Sequence, residues 1–245
     1  MIESRRRIDN RRIRCYHGTD VQERFHTLKG IGILELFLVL LLVLFPFARD
    51  PAWPESRDKK AGIQAYKDQI RMQEIEQCRE KRDEFFESHP RSPLKEDQKK
   101  RFSGLTYYPI DLKWYFSGKI RRYRFHITNP KYYAQFLTNK GTFKRYVRYG
   151  TFSFKLGGGE YELEVYKSIL SDNLFVPFRD RTNGEETYTM GRYLDAEILP
   201  GYYTVVDFNK AYNPSCVYNS KYVCVIPPEK NSLDIEIRAG EKNYP

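Results

Sequence analysis

Apolar and polar positions alternate through most of the second half of the chain. In residues 160–165, glutamates alternate with Tyr, Leu and Val, which is the period-two pattern of a strand with one face in water. Similar stretches recur between turn signals such as the three glycines at 157–159, and no helical pattern separates them. The predicted strands are residues 113–124, 145–156, 160–168, 174–178, 187–198, 202–208 and 233–238. Strands joined by short turns predict a mainly β domain, built as an antiparallel sandwich or a barrel.

A charged segment with a different period precedes the strands. Residues 59–87 contain no proline and mix acidic with basic side chains, while Ile63, Tyr66 and Ile70 recur at helical spacing. This pattern predicts a charged helix that forms a stalk or packs one narrow stripe on the β domain. Two prolines in residues 49–58 indicate an extended linker before this helix.

An apolar run lies before the linker. Residues 31–48 are 18 residues long, with Glu35 as the only charged side chain. A helix of that length rises about 27 Å, close to the roughly 30 Å of a bilayer's hydrocarbon core. Eight Lys and Arg residues lie in 1–30, so the positive-inside rule predicts a cytoplasmic N-terminus and an extracytoplasmic C-terminal domain, periplasmic in a bacterium. A cleaved signal peptide is the alternative, but Pro46 and Phe47 make a poor cleavage site, and we predict a signal anchor.

The predicted organisation therefore has four parts. They are a basic cytoplasmic segment at 1–30, a transmembrane signal anchor at 31–48, a linker and charged helix at 49–87, and a β-rich domain at 88–245. The net charge of +10 is concentrated in residues 101–170, which hold 13 Lys and Arg against four Asp and Glu. A positive face favours an anionic partner, such as a lipid headgroup, a glycan or a phosphate-bearing ligand, or it serves only solubility. The extracytoplasmic location disfavours nucleic acid as that partner.

Polar and glycine positions are densest in residues 178–242. The segments read FRDRTNGEETYTMGRYLDAE, DFNKAYNPSC, PPEKNSL and IRAGEK. In these motifs the chain resembles the DUF1684 family, a domain of unknown function, and the resemblance covers about residues 79–242. It implies a shared fold and a shared site without naming a reaction. The apolar run at 31–48 lies outside the resemblance, so the chain looks like a short membrane-anchored form of the family.

The motifs supply candidates for acid–base chemistry and for ligand contacts. Asp180, Asp207 and Glu241 are candidate general acids or bases, or ligands of a hard cation, if the fold brings them together. The candidate ligand contacts are Arg179, Arg192, Thr187, Tyr188, Asn209 and Tyr212. An arginine clamps a carboxylate or a phosphate with two parallel hydrogen bonds. The alternatives are structural, with ion pairs for the arginines and loop capping for Asp207 and Asn209.

Cys216 and Cys224 lie in a loop rich in proline and asparagine. In an oxidising compartment they predict a disulfide that closes this loop. Reduced buried thiols are the next alternative, and a metal ligand or a nucleophilic thiol comes after both. Two cysteines without a nearby histidine do not make a four-ligand zinc site, so no metal site is predicted. The sequence lacks the serine-hydrolase elbow, the phosphate-binding glycine loop and the HExxH zinc helix, and it implies no particular cofactor.

Together these features predict a membrane-anchored extracytoplasmic domain that binds an anionic small molecule or a glycan through residues 178–242. One alternative is a hydrolase-like enzyme that uses Asp180, Asp207 or Glu241 together with Arg192. The other alternative is a structural subunit of the cell envelope, docked on a partner through its positive face.

Overall fold

The computed structural model describes residues 57–124, 126, 128–168, 171 and 173–245 of the chain. The predicted cytoplasmic segment, the predicted anchor at 31–48 and the first part of the linker lie outside the described residues. Among the residues that are described, no helix combines the length and the apolar character that crossing a membrane requires.

Helix α1, Arg57–Ser88, coincides with the charged segment for which the sequence predicts a helix. Its first half is exposed, and Ile63 and Tyr66 keep 47% and 65% of their surface in solvent. Its second half packs on the domain through a stripe that buries Ile75 and Phe86. Because most other positions of α1 are charged or polar, this narrow stripe supplies its hydrophobic burial.

The rest of the described chain forms a short helix, α2 (Glu96–Lys99), and eight strands. The strands are β1 Tyr115–Lys119, β2 Arg121–Arg122, β3 Tyr133–Leu137, β4 Phe143–Leu156, β5 Gly159–Lys167, β6 Leu174–Phe178, β7 Arg192–Ala196 and β8 Tyr203–Asp207. Six of them form one sheet in the order β2-β4-β5-β6-β7, with β3 also paired to β4, while β1 pairs with β8. All strand pairs in the described residues are antiparallel, which confirms the predicted mainly β class. The two sheets do not close into a barrel in this part of the chain.

The hydrophobic core lies between the two sheets. It collects alternate side chains of the central strands, as expected for the inner face of a pleated sheet. Its buried members are Trp114, Ile120, Phe152, Phe154, Leu163, Val165, Leu174, Val176, Phe178, Leu194, Ala196, Val206, Phe208, Ala211, Leu233, Ile237 and Ala239. Phe208 meets Phe178 edge to face, with ring centroids 5.1 Å apart. Full burial of one such side chain stabilises the fold by roughly 1.5–3 kcal/mol.

The other face of the large sheet carries a second cluster, which we call the aromatic face. Its members are Ala134, Phe136, Tyr146, Tyr166, Phe175, Tyr193, Tyr212 and Val225. The rings of Phe136 and Tyr166 are 4.7 Å apart, and those of Phe175 and Tyr193 are 4.9 Å apart. Tyr212 and Val225 come from loops after β8, so the motif-rich loops cover this face of the sheet.

Glu164 departs from the predicted row of water-facing glutamates, because its side chain is only 1% exposed. Its carboxylate accepts hydrogen bonds from the hydroxyls of Tyr123 at 2.9 Å and Tyr166 at 2.7 Å, and from Arg148 at 3.0 Å. Burial opposes ionisation, but these bonds outweigh it and lower the pKa of the Glu164 carboxyl. The prediction of a wet face is therefore wrong at this position, where polar partners replace water.

Two strand predictions also differ from the structure. Strand β3 has no counterpart among the predicted strands, and residues 233–238 form no strand in the described chain. The Ile237 N–H donates to the Asp180 carboxylate at 2.7 Å, and its carbonyl accepts from Arg192 at 2.8 Å. Backbone groups that are bonded to buried side chains are not available for a strand ladder.

Candidate functional site

Two side chains of the first motif form a buried ion pair. Arg192 starts β7, Asp180 lies two residues after β6, and both side chains are 0% exposed with Nη2 and Oδ2 3.1 Å apart. Arg192 also donates to the carbonyls of Ile237, Ala239 and Glu241. The pair thus ties the first motif to the last one.

The environment of this pair disfavours both charges. Burial raises the pKa of the Asp180 carboxyl, and attraction to Arg192 offsets the effect only in part. Burial likewise lowers the pKa of the Arg192 guanidinium. Each charge therefore depends on its partner, and neither side chain reaches a ligand in solvent.

Hydroxyl groups close the turn between β6 and β7. The Oγ1 atoms of Thr182 and Thr187 lie 2.8 Å apart, and Asn183 Nδ2 donates to Thr187 Oγ1 at 2.8 Å. Asn183 Oδ1 accepts from the Asp180 N–H at 2.8 Å. Thr187 is completely buried, so its hydroxyl shapes the turn.

The second motif is fixed in the same way. Asp207 ends β8 and caps a 3-10 turn, because its Oδ1 accepts from the N–H of Asn209 at 3.0 Å and from Nδ2 at 2.9 Å. The Asn209 side chain bonds to both backbone groups of Asp111 at 3.0 Å. Burial raises the pKa of the Asp207 carboxyl, while the bonds from Asn209 oppose the shift. Both residues thus occupy the loop-capping positions that were the structural alternative.

Glu241 anchors the last motif, IRAGEK, to α1. Its side chain is 1% exposed and pairs with Arg82 Nε. It also accepts from the Tyr218 hydroxyl and from the Asn213 N–H, the latter at 2.8 Å. Burial opposes the charge on Arg82, but attraction to Glu241 and Tyr218 outweighs it and raises the pKa of the guanidinium. Both carboxylate oxygens of Glu241 are therefore occupied.

The three candidate acids do not share one open cleft. Asp180 and the backbone of Glu241 meet through Arg192, whereas Asp207 caps a different loop. All three are buried. Within the described residues, no group of three or more His, Cys, Asp or Glu side chains is arranged to hold a metal ion.

Asp195 and Tyr212 form a partly buried pair beside the aromatic face. The Tyr212 hydroxyl donates to Asp195 Oδ2 at 2.8 Å, and the Arg82 guanidinium lies 4.8 Å from the centre of the Tyr212 ring. Burial raises the pKa of the Asp195 carboxyl to about 6. Asp195 is not among the sequence-derived candidates. The available signal is its place on β7 between the core residues Leu194 and Ala196, which turns it to the opposite face.

The two cysteines lie side by side. Both are partly buried free thiols in this structure, and the disulfide between them stays a prediction. The Cys216 N–H donates to Cys224 Sγ at 3.2 Å. A hydrogen bond from the Cys224 thiol lowers the pKa of Cys216 to about 7, against the effect of burial, and Tyr188 and Lys140 add smaller contributions. The same contact raises the pKa of Cys224, and burial raises that of Tyr188 to about 12.

The backbone of Arg179 is held by two hydrogen bonds, whereas its side-chain Nε has none. Its N–H donates to Asn231 and its carbonyl accepts from Leu233, both at 2.9 Å, whereas its buried Nε has no hydrogen-bond partner. Gly191, with φ of +101°, makes room for the side-chain stem. A Cβ at Gly191 would lie 3.0 Å from Arg179 Cγ and 2.5 Å from the Phe178 carbonyl oxygen, so only glycine fits.

Tyr188 lies between Arg179 and the thiols along the chain of contacts. Its carbonyl accepts from the Gly191 N–H at 3.0 Å, and Gly191 packs on the stem of Arg179. Its hydroxyl lies close enough to the Cys216 thiol to influence the pKa of both groups. We call Tyr188, Lys140, Cys216 and Cys224 the thiol surface, and Arg179 lies at the Gly191 end of Tyr188. Lys140 is absent from the sequence-derived candidates, because no local signal places this lysine, 76 positions before Cys216, near the loop.

The motifs are matched in other proteins. Residues 100–242 match the family described as Protein of unknown function (DUF1684). The chain is also similar to the solution NMR structure of an uncharacterized protein from Haloarcula marismortui, with 29% identity and a TM-score of 0.54 over 75% of this chain and 97% of that one. No curated protein matches the chain. Since the family match spans more than half of the sequence, the chain belongs to the DUF1684 family.

Proposed function

We propose that this domain binds an anionic small molecule at the thiol surface, with Arg179 as the main contact to the negative group. The observation that carries the proposal is the difference among the motif arginines. Arg181 pairs with Asp234 at 2.6 Å, Arg192 with Asp180 at 3.1 Å, and Arg238 with Glu186 at 3.2 Å. Arg179 differs from them because it forms no ion pair with a described residue, whereas an unpartnered buried Nε is common to Arg179 and Arg192. A ligand carboxylate, sulfate or phosphate would supply a counter-charge for the Arg179 guanidinium.

The neighbouring groups support a negative ligand. Lys140 adds a second positive charge, and the Tyr188 hydroxyl adds a polar contact at the same surface. Tyr188 and the two cysteines are partly buried, and charges interact more strongly where water is partly excluded. These features suit a small organic acid, an acidic glycan or a phosphate ester.

The positions of these side chains reduce the set of candidate ligand contacts. Arg179 and Tyr188 remain in the proposed contact set, and Tyr212 lies beside it on the aromatic face. Arg192, Thr187 and Asn209 are fully buried and bonded internally, so we assign them to the support of the loops.

The hydrolase-like alternative has less support. A general acid or base must reach the reacting group of a substrate, either directly or through one water. The carboxylates of Asp180, Asp207 and Glu241 are buried and already bonded to protein groups. Docking as a structural subunit remains a second proposal for the buried motif residues, because internal locks serve a scaffold equally well.

We also propose that residues 31–48 anchor the domain to a membrane and place it on the extracytoplasmic side. The 18-residue apolar run and the basic segment before it support this placement. The chain expressed in its host is expected to stay in the membrane pellet after alkaline extraction. Its domain is expected to be digested by protease added outside intact inner membranes. Recovery of the full-length chain in the soluble fraction would contradict the proposal.

The anion proposal is tested with inorganic pyrophosphate, titrated against the full chain in detergent and followed by isothermal calorimetry. We expect Arg179→Gln to weaken binding by about 10-fold or more, the usual effect of losing a hydrogen bond to a charged group. The matched control is Arg181→Gln, which removes an exposed arginine of the same motif. Equal affinities of the wild type and Arg179→Gln for pyrophosphate would contradict the assignment of Arg179 as the main contact to the anion.

A further inference from the structure

We propose that Cys216 and Cys224 form a redox-active dithiol that exchanges with an anionic low-molecular-weight disulfide, Cys216 being the attacking thiol and Cys224 the resolving one. This inference rests on the proposed function, because it names a substrate class for the same thiol surface. It goes beyond a structural disulfide, since it requires the pair to open and close.

The first support is that the backbone already holds the two cysteines together. Cys224 is fixed to the loop between β3 and β4, since its N–H donates to Asn139 Oδ1 at 2.9 Å and its carbonyl accepts from the Asn139 N–H at 3.0 Å. Cys216 lies in the 3-10 turn Ser215–Val217. Its N–H reaches the sulfur of Cys224 at 3.2 Å. The bond between the sulfurs therefore needs little rearrangement of the chain.

The second support is the difference between the two thiols. Cys216 accepts hydrogen bonds from Cys224 and Tyr188 and has Lys140 nearby, and these groups stabilise its thiolate and lower its pKa to about 7. Cys224 is the donor, and its pKa is raised. Near neutral pH, one thiol is therefore an available nucleophile while the other keeps its proton until it is needed.

The third support is accessibility combined with charge. Both sulfurs belong to partly exposed residues, so a small molecule can reach them. Lys140 lies near the Cys216 thiol, and under the proposed function Arg179 contacts the same ligand. Both positive charges favour a disulfide that carries carboxylates over a neutral or cationic one.

The exchange balances without a further oxidant. The Cys216 thiolate attacks one sulfur of the small disulfide R–S–S–R, forming a mixed disulfide and releasing one thiolate. Cys224 then loses its proton to that leaving thiolate or to water, and its sulfur attacks Cys216. The new Cys216–Cys224 bond expels the second thiolate, which takes up a proton. Two protein thiols are oxidised to one disulfide, and one small disulfide is reduced to two thiols.

The test uses the full chain, reduced beforehand, with three probes: glutathione disulfide (net negative), hydroxyethyl disulfide (neutral) and cystamine (cationic). Mass spectrometry with peptide mapping follows the products in the wild type, Cys216→Ser, Cys224→Ser and Arg179→Gln. We expect a Cys216–Cys224 bond in the wild type and a trapped mixed disulfide on Cys216 in Cys224→Ser. Cys216→Ser is expected to react slowly at Cys224, because that thiol keeps its proton.

The rate at which Cys216 reacts with the disulfides provides a second test. With a pKa near 7, the Cys216 thiolate fraction at neutral pH is about 15-fold that of an ordinary cysteine, while its lower intrinsic nucleophilicity takes back about fivefold. We therefore expect reaction about threefold faster than that of a cysteine peptide at pH 7, and a rate that stops rising near pH 8.

The outcomes separate this inference from the proposed function. If the wild type forms no Cys216–Cys224 bond with any probe, or if Cys224→Ser traps no adduct on Cys216, the dithiol inference is overturned. A second outcome is that the bond forms, but Arg179→Gln slows the reaction with glutathione disulfide no more than the reaction with hydroxyethyl disulfide. In that case the dithiol inference stands and the anion-binding function fails. If Arg179→Gln slows the reaction with glutathione disulfide selectively, while the reaction with cystamine is unchanged or faster, both the dithiol inference and the anion-binding function are supported.

Discussion

Arg192 meets four internal acceptors in a part of the core that excludes water. They are the Asp180 carboxylate and the carbonyls of Ile237, Ala239 and Glu241. These acceptors lie 12 to 49 positions away along the chain. A single buried guanidinium therefore fixes the geometry of two motifs, although replacing the whole pair by apolar groups need not cost stability.

We predict that Arg192→Met lowers the free energy of unfolding by roughly 3–5 kcal/mol, because it leaves the Asp180 carboxylate buried without a counter-charge. Urea denaturation of the variant and the wild type measures the change. Adding Asp180→Asn to Arg192→Met is expected to restore part of the loss. The control is Arg181→Met, which breaks an exposed pair and should cost less than about 1 kcal/mol. Equal effects at the two arginines would contradict the buried lock.

Asp195 gives a prediction about pH. Its pKa of about 6 in the fold lies above the ordinary value of 3.8, so the folded state favours the protonated form. This contribution to stability is complete below about pH 4 and is lost as the pH rises through 6. We expect Asp195→Asn to gain stability relative to the wild type as the pH rises from 4 to 8. The difference between the two pKa values sets an upper bound of about 3 kcal/mol on this gain. The gain is expected to be smaller than this bound, because the carboxyl is partly exposed.

The denaturation midpoints of the wild type and Asp195→Asn, measured at both pH 4 and pH 8, test the direction of this change in stability. The exposed Asp97→Asn serves as the control, since its carboxylate is 68% exposed and pairs with the likewise exposed Arg101. A relative loss of stability of Asp195→Asn at the higher pH would show that Asp195 is favoured as a charged group.

The sequence locates the dense polar motifs but not the direction in which each side chain points. Asp207 and Asn209 lie two apart at a strand end, and this spacing already allows loop capping. The role of Arg179 cannot be read in the same way. Its difference from Arg192 depends on carbonyls of residues 237–241, which local patterns do not bring near either arginine.

At the scale of secondary structure, α1 is part of the domain and not only a stalk. Arg79 donates to the carbonyls of Tyr108 at 2.9 Å and Asn209 at 3.3 Å, and Arg82 pairs with Glu241. Phe86 packs edge to face on Tyr218 with ring centroids 4.6 Å apart. The second half of α1 therefore holds the second and the last motif in place.

We predict that Arg82→Met destabilises the domain by roughly 3–5 kcal/mol, because Glu241 is then a buried carboxylate without its cation. Thermal and urea denaturation measure the loss. Glu241→Gln in the same chain is expected to recover part of it. Lys81→Met, at the exposed neighbouring position, is the matched control and should change little. An unchanged stability in Arg82→Met would contradict the docking of α1 on the last motif.

Periodicity predicts most strands because their alternate side chains enter the core. Strand β6 begins and ends where the pattern predicts, at Leu174 and Phe178. Strand β3 is less visible, since its place is set by pairing with β4 over residues 143–147. Residues 233–238 have a strand-like composition, but their backbone serves Asp180 and Arg192. Tertiary bonds to side chains override propensity there.

At the scale of the whole molecule, the large sheet is covered on both faces. The core fills one face, and the motif-rich loops cover the aromatic face with Tyr212 and Val225. This arrangement explains why so many polar motif residues are internal, since buried loop backbone must find hydrogen-bond partners. The two thiols beside this face are partly exposed.

Part of the positive charge of residues 101–170 is also neutralised within the sheet. Arg121 pairs with Glu162 at 2.8 Å and Arg148 with Glu164 at 3.0 Å. The composition alone predicts a broad basic face, because it does not show which arginines meet carboxylates. The proposed anion contact, Arg179, lies outside residues 101–170.

Native mass spectrometry of the full chain as recovered from cells, beside Arg179→Gln prepared identically, tests the central claim most directly. The claim is that the motifs lock the fold and leave one anion-binding surface at Arg179. We predict an adduct on the wild type that disappears on denaturation, and no such adduct on Arg179→Gln. An adduct of equal occupancy on both proteins, or a bare wild-type chain that also fails to take up pyrophosphate, would contradict the claim.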